Sequence, residues 1–239
     1  MLRTHIASNV RAVAFVGAMS VAVAAGQVLL ATGAYAATTL IVSTTADVGS
    51  TAGACGSTSI TTAPFPLSLR EATCLANNIG GAVTITVPAG TYHLTNGEIQ
   101  VGKFSGQNVT VTGAGAASTV IDAGGLNRVV DLDVNLVGGV TVAISGVTIS
   151  GGNDNTYGGA GIIAGSANAG AADVLTIDSS IITNNHVPTT STNRPGGAVQ
   201  FIGGSLTITN TAISNNSSGN SPGSGVTFQA QGIVAGEHL

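Results

Sequence analysis

The sequence predicts an all-β fold, a right-handed parallel β-helix of about five three-strand coils with a short N-terminal capping helix. Three observations support this prediction. Short apolar strands recur at a nearly constant spacing, Gly and Asn stand between them, and only 7% of the residues are charged. A typical globular domain carries about 25% charged residues. Neutral polar side chains must therefore cover the surface of this chain of 239 residues.

The repeat is clearest in the second half of the chain. Three segments align without gaps at offsets of 33 and 31 residues, namely Ile144–Ile149, Ile177–Ile182 and Ile208–Ile213. Each is followed by a paired turn, namely Gly151-Gly152, Asn184-Asn185 and Asn215-Asn216, and then by a glycine-led strand. Two earlier units, which begin at Val83 and Val109, follow the same order less regularly. Short strands that repeat without helices between them are typical of a solenoid.

Alternation along each strand predicts which side chains form the core. Val83, Ile85 and Val87 point to one face of their strand, whereas Thr84 and Thr86 point to the other. Stacking of coils then places apolar residues in columns inside the helix. The Asn pairs are expected to stack in a turn and to hydrogen-bond along the column through their amides.

A short segment before the first coil departs from this pattern and predicts a helix. Ser68 and Glu71 have the Ser-x-x-Glu spacing of a capping box, and Gly80-Gly81 supplies an end signal. Leu69, Ala72 and Ala76 share one face of such a helix. We expect this face to cover the open apolar end of the first coil.

The N-terminus resembles an export signal. Arg3, His5 and Arg11 precede an apolar stretch from Ala12 to about Ala31, and Ala34-Tyr35-Ala36 has the small-x-small pattern of a cleavage site. The predicted organisation is a signal peptide over 1–36, a strand, disulfide loop and capping helix over 37–81, and a β-helix over 82–239, for which C-terminal truncation is one of two interpretations. An uncleaved membrane anchor is the alternative for residues 1–36.

Cleavage would leave an acidic chain with two cysteines. Removing Arg3 and Arg11 from the 6 basic residues leaves 4, against 10 acidic residues. Such a surface repels phosphate backbones and argues against nucleic-acid binding. Cys55 and Cys74 predict one disulfide in an exported chain, with two unpaired thiols as the alternative.

Residues 68–72, Ser-Leu-Arg-Glu-Ala, resemble the CSLREA domain, which is named for a Cys-Ser-Leu-Arg-Glu-Ala motif. That module lies near the N-terminus of many exported bacterial β-helix proteins, and the repeats over 206–216 are similar to those that follow it there. The leading Cys of the motif is Leu67 in this chain. The motif does not imply catalysis, and we interpret Arg70 and Glu71 as structural residues, with Glu71 in the capping box.

The acidic residues of the early coils are the candidates for chemistry. Asp131 and Asp133 lie two apart on one strand and so share a face, with Arg128 and Asp122 nearby. Polysaccharide lyases and hydrolases built on β-helices need carboxylates that converge from neighbouring coils, to bind Ca²⁺ or to act as acid and base. Asp154 lies in a polar turn that is a candidate for weak Ca²⁺ binding. The competing interpretation is a solvated outer wall.

The sequence favours a secreted or cell-surface protein without a cofactor, which acts as a surface, adhesive or structural binding module. The alternative is a carbohydrate-active enzyme, similar to a polysaccharide lyase or hydrolase, that uses the acidic residues of the early coils. The expected partners are a glycan or a cell-surface protein, with no nucleic acid and no membrane contact after signal cleavage. No helix follows Phe228 to cover the last coil, which predicts either a truncated chain or pairing of this coil with a partner, such as end-to-end self-association.

Overall fold

The computed structural model describes residues 21–24, 27–30, 38–49, 66–132, 136–154, 156–165, 172–188, 195–219 and 223–229. The chain divides into two compact units, Met1–Ala36 and Ala37–Leu239. In the first unit, strand β1 (Val21–Ala24) pairs antiparallel with β2 (Gln27–Leu30). This unit spans the predicted signal peptide, whose cleavage stays a prediction. Within the described residues, no helix combines the length and the apolar character that crossing a membrane requires.

The second unit is a parallel β-helix, which confirms the predicted fold. Its first sheet contains β3 (Thr38–Ile41), β4 (Ala82–Val87), β7 (Asn108–Gly113), β10 (Thr141–Ser145), β13 (Val174–Asp178) and β17 (Ser205–Thr209). Its second sheet contains β5 (Gly90–His93), β8 (Thr119–Asp122), β11 (Thr148–Ser150), β14 (Ile181–Thr183) and β18 (Ala212–Ser214). Its third sheet contains β6 (Ile99–Val101), β9 (Val130–Leu132), β12 (Ile162–Gly165), β16 (Val199–Ile202) and β20 (Val226–Gln229). A short pair, β15 (His186–Val187) and β19 (Ser217–Ser218), lies in the turns of the last two coils.

Columns of apolar side chains form the core, as the alternation predicts. One column in the first sheet consists of Val83, Val109, Val142, Leu175 and Leu206, which are in register from coil to coil. The column is buried except for Leu206, which is partly buried. The side chains of the last coil are more exposed than those of the coils before it. In its strand β17, every residue is half-buried or exposed. Self-association through this coil stays a prediction.

An asparagine ladder joins the third, fourth and fifth coils. Asn185 Nδ2 donates to Asn216 Oδ1 at 2.9 Å and to the carbonyl oxygen of Ile149 at 3.2 Å, and Asn216 Nδ2 donates to the carbonyl oxygen of Ile182 at 2.9 Å. The residues before this pair, Asn184 and Asn215, adopt left-handed φ values of 58° and 55°. The predicted amide ladder is thus confirmed, and only the second Asn of each pair takes part in it.

Gly151-Gly152 replaces the Asn pair in the third coil because that turn has no room for side chains. Gly151 has the same left-handed conformation, with φ of 68°. A Cβ added to Gly152 would collide with the carbonyl oxygen of Ala160 and would lie 2.8 Å from Asn185 Oδ1. The Gly152 N–H donates to that same Oδ1 at 2.9 Å, so the ladder ends on backbone in this coil.

We expect Asn185→Ala to lower the free energy of unfolding by about 1–3 kcal/mol, because it leaves the buried Gly152 N–H and Ile149 carbonyl without their partner. Urea denaturation followed by circular dichroism measures the change. Thr183→Ala is the matched control on the outer face of the same coil, where the one hydrogen bond of the hydroxyl within the described residues is to Ser214 Oγ at 3.3 Å. The control should change stability by less than about 0.5 kcal/mol. Equal effects of the two substitutions would contradict a stabilising ladder.

The helix α1 (Leu69–Ile79) packs against β4 and β6, at the N-terminal end of the coil stack. Its capping box is complete, since the Glu71 N–H donates to Ser68 Oγ at 3.1 Å and the Ser68 N–H donates to Glu71 Oε2 at 3.0 Å. Gly80 ends the helix, as predicted. The predicted apolar face of Leu69, Ala72 and Ala76 is buried. The helix therefore covers the first coil.

Candidate ligand-binding groove

A groove of about 360 Å³ lies over the turns that connect the second sheet with the third. Four consecutive coils line it: Gly97 and Glu98 in the first, Leu126 to Arg128 in the second, Asn153, Asp154, Thr156 and Tyr157 in the third, and Pro188 in the fourth. These turns align because Ile99, Val130 and Ile162, which follow them, are paired in register. Stacking therefore brings together polar residues that are about 30 positions apart.

Arg128 forms the floor of the groove and connects its walls. The side chain is only 5% exposed. Its Nη1 lies 3.0 Å from Glu98 Oε2, and its Nη2 lies 3.1 Å from Asp154 Oδ2. Nε and Nη2 also donate to the carbonyl oxygens of Gly159 and Gly158, each at 3.1 Å. The guanidinium, in the second coil, thus binds a carboxylate from the first coil and a carboxylate and a backbone turn from the third.

Asp154 holds the turn that presents Tyr157. Its Oδ2 accepts hydrogen bonds from the N–H groups of Tyr157 and Gly158, both at 2.7 Å, in addition to the Arg128 contact. Tyr157 is 67% exposed and Leu126, also in the lining of the groove, is 63% exposed. Among the large apolar side chains that the structure describes, these two are the most exposed. The groove therefore combines a charged floor with two accessible apolar side chains.

The capping segment supports the groove through Arg70. This side chain is 2% exposed, and its Nε and Nη2 lie 2.7 and 3.1 Å from the two carboxylate oxygens of Asp47. Its Nη1 donates to the carbonyl oxygen of Glu98 at 2.8 Å, and Nη2 donates to that of Gly97 at 2.5 Å. Arg70, the arginine of the Ser-Leu-Arg-Glu-Ala motif, thus fixes the backbone that carries the first wall of the groove.

Several hydrogen-bond donors surround the carboxylate of Asp47. Burial raises the pKa of its carboxyl group, but hydrogen bonds from Arg70 and from the Asn96 and Thr95 N–H groups, with the charge of Arg70, outweigh burial. The net result is a pKa below the ordinary value. Asp47 is therefore the ionised partner of Arg70.

The structure brings together some of the predicted site residues and separates others. Asp131 Oδ2 lies 4.0 Å from Arg128 Nη1, so these two belong to one cluster. Asp122 lies on the second sheet, where its Oδ2 is 3.2 Å from His93 Nδ1. Asp133 lies outside the described residues. Asp122 is not among the described residues that line the groove, so its grouping with Arg128 stays a prediction.

Asp154, the predicted Ca²⁺ ligand, lines the groove, and the cation beside it is the guanidinium of Arg128. The place beside its Oδ2 that a metal ion would need is filled by the Arg128 guanidinium. Within the described part of the chain, no group of three or more His, Cys, Asp or Glu side chains is arranged to hold a metal ion. Cys74 is buried on α1, and Cys55 lies outside the described residues, so their disulfide stays a prediction.

Glu98, Tyr157 and Asp47 are the residues that sequence reasoning missed. Glu98 directly precedes β6, as Arg128 and Val129 precede β9, and this shared position was the available signal. Comparisons of the chain with family models, with curated proteins and with solved structures find no significant match.

Proposed function

We propose that this protein is an exported, non-catalytic β-helix module that binds a glycan in the groove over Glu98, Arg128 and Asp154, at a cell surface or in an extracellular matrix. The observation that carries the proposal is the pairing of the two most exposed large apolar side chains of the described residues, Tyr157 and Leu126, with a polar floor. Binding sites commonly combine apolar contact area with a few fixed polar groups.

The chemistry of a sugar ring matches both parts of this groove. A pyranose ring has C–H groups on its faces, which pack on an aromatic or aliphatic side chain, and hydroxyl groups around its edge. Tyr157 offers a ring that is rigid and amphipathic. Each carboxylate has about four acceptor positions, so Glu98 and Asp154 accept hydrogen bonds from sugar hydroxyls in addition to their bonds within the protein.

The contacts of Glu98 and Asp154 within the protein favour binding over catalysis. Glycoside hydrolysis needs a pair of carboxyl groups, one of which delivers a proton to the leaving group. Here Oδ2 of Asp154 accepts from Arg128, Tyr157 and Gly158, and Oε2 of Glu98 is bound to the same guanidinium. These contacts give both side chains an architectural role. The carbohydrate-active enzyme is the alternative that the experiment below tests.

Export is supported by the sequence pattern of residues 1–36 and by the resemblance of residues 68–72 to the CSLREA domain of exported β-helix proteins. A Cys55–Cys74 disulfide would tether the segment before α1 to the helix in an oxidising compartment. The low charge of the chain suits a module that presents neutral polar walls to its surroundings.

We expect Tyr157→Ala to weaken glycan binding by about tenfold or more, because it removes the exposed ring from the groove. A glycan array followed by titration calorimetry on the best ligand measures the loss. Phe104→Ala is the matched control, since Phe104 is also an exposed aromatic but lies outside the lining of the groove. Lyase and hydrolase assays with and without Ca²⁺ run in parallel. Turnover of any glycan would contradict a non-catalytic role and favour the carbohydrate-active enzyme. Equal glycan affinity of Tyr157→Ala and Phe104→Ala would show that the glycan does not bind in this groove.

A further inference from the structure

We infer that the groove selects an uncharged glycan chain and rejects acidic glycans such as polyuronates. The inference rests on the proposed function and concerns the same groove. It follows from the charge of the groove, from the way in which Arg128 uses its donors, and from the polar residues that continue the groove along the coil stack.

The charges around the floor do not cancel. Three carboxylates, those of Glu98, Asp131 and Asp154, lie within 4.0 Å of the one guanidinium of Arg128. Among the described residues that line the groove, Arg128 is the one basic residue. In the described lining, the carboxylates of Glu98 and Asp154 outnumber the Arg128 guanidinium, so a ligand carboxylate that enters the groove meets repulsion at short range.

Arg128 does not compensate by binding a ligand carboxylate itself. Recognition of a carboxylate by arginine commonly uses two parallel N–H donors. Here Nε, Nη1 and Nη2 already donate to oxygen atoms of the protein, and the side chain is buried. The most accessible charged side chain of the three is the acceptor Glu98, at 20% exposure against 10% for Asp154 and 5% for Arg128. The ligand has to supply donors, which in a neutral glycan are its hydroxyl groups.

Polar side chains other than carboxylates continue the groove along the axis of the stack. The Asn153 N–H donates to the carbonyl oxygen of Asn127 at 2.8 Å, Asn153 forms a β-bridge with His186, and His186 pairs in register with Ser217. Neighbouring coils are about 4.8 Å apart, so these four positions span about 14 Å. We call this row, Asn127, Asn153, His186 and Ser217, the polar row. It provides amide, imidazole and hydroxyl groups beside an extended chain, and it contains no carboxylate, lysine or arginine side chain.

The experiment compares hexasaccharides that differ in charge. Neutral probes are cellohexaose, xylohexaose and mannohexaose, and acidic probes are hexamers of galacturonate and of mannuronate. Titration calorimetry with the full chain should show binding of at least one neutral probe, with little dependence on salt, and at least tenfold weaker binding of both acidic probes at low salt. An acidic probe that binds as tightly as the best neutral one would overturn the inference while leaving glycan binding intact. Failure of every probe would overturn the proposed function as well.

Two charge variants test the electrostatic reason. Asp131→Asn removes one negative charge next to Arg128 without changing a residue that lines the groove. It should strengthen binding of the acidic probes about threefold at low salt and leave the neutral probes unchanged. Asp178→Asn removes the same charge from the first sheet and should change neither. Unchanged affinity of the acidic probes for the Asp131→Asn variant would show that charge does not set the selectivity.

Discussion

Arg70→Met should lower the free energy of unfolding by about 3–5 kcal/mol, because it leaves the carboxylate of Asp47 buried without its cation. Both side chains of this pair are almost fully buried, at 2% and 4% exposure. The substitution also removes the donors to the carbonyl oxygens of Gly97 and Glu98. Urea denaturation followed by circular dichroism gives the free energy, and the same variant should bind the groove ligand more weakly.

Lys103→Met is the control for loss of a positive charge at a less buried position, and should change stability by less than about 0.5 kcal/mol. The double variant Arg70→Met with Asp47→Asn should be more stable than Arg70→Met alone, because no buried charge is then left unpaired. Equal stability of Arg70→Met and Lys103→Met would contradict the role given to the pair.

The pH dependence of stability provides a second test of the same pair. The pKa of Asp47 is lower in the folded protein than the ordinary carboxyl value of about 3.9, so the unfolded chain binds the proton more readily. The stabilisation by Asp47 is therefore complete above about pH 4 and is lost as the pH falls through the folded pKa. Unfolding midpoints measured on the acid side should fall more steeply for the wild type than for Asp47→Asn.

Arg128→Met should be the most damaging substitution in the groove. It leaves Glu98, Asp131 and Asp154 without the guanidinium that they share, and we expect a loss of about 3 kcal/mol in the free energy of unfolding. We also expect glycan binding to fall by tenfold or more, because the turn that carries Tyr157 loses two carbonyl contacts, at Gly158 and Gly159.

Hydrogen exchange distinguishes a local effect on this turn from general destabilisation. The Tyr157 and Gly158 N–H groups are bound to Asp154 Oδ2. Their exchange rates should rise from wild type to Arg128→Met by a larger factor than the rates of the N–H groups in the distant strand β13. Arg128→Lys keeps the charge, but the lysine ammonium lacks the planar guanidinium that reaches two carboxylates and two carbonyl oxygens at once. We therefore expect losses of stability and of glycan affinity that are smaller than those of Arg128→Met. Wild-type affinity in Arg128→Met would contradict the groove as described.

The position of the helix and of the core columns could be predicted because both depend on local patterns. A capping box needs two side chains three residues apart, and Ser68 and Glu71 have that spacing. Strand alternation needs only neighbouring residues, so Val83 and Ile85 could be assigned to the core. The Asn ladder was predictable for the same reason, since Asn185 and Asn216 hold equivalent places in successive repeats.

The ion pairs of the groove and of the cap were decided by the tertiary structure alone. Asp47 meets Arg70 across 23 residues, and Glu98 meets Arg128 across 30. Such pairs depend on the length and conformation of each turn, and the early coils have turns of unequal length. Periodicity therefore determines which residues face inward, but it does not determine which charged side chains of neighbouring turns come within a few ångströms of each other.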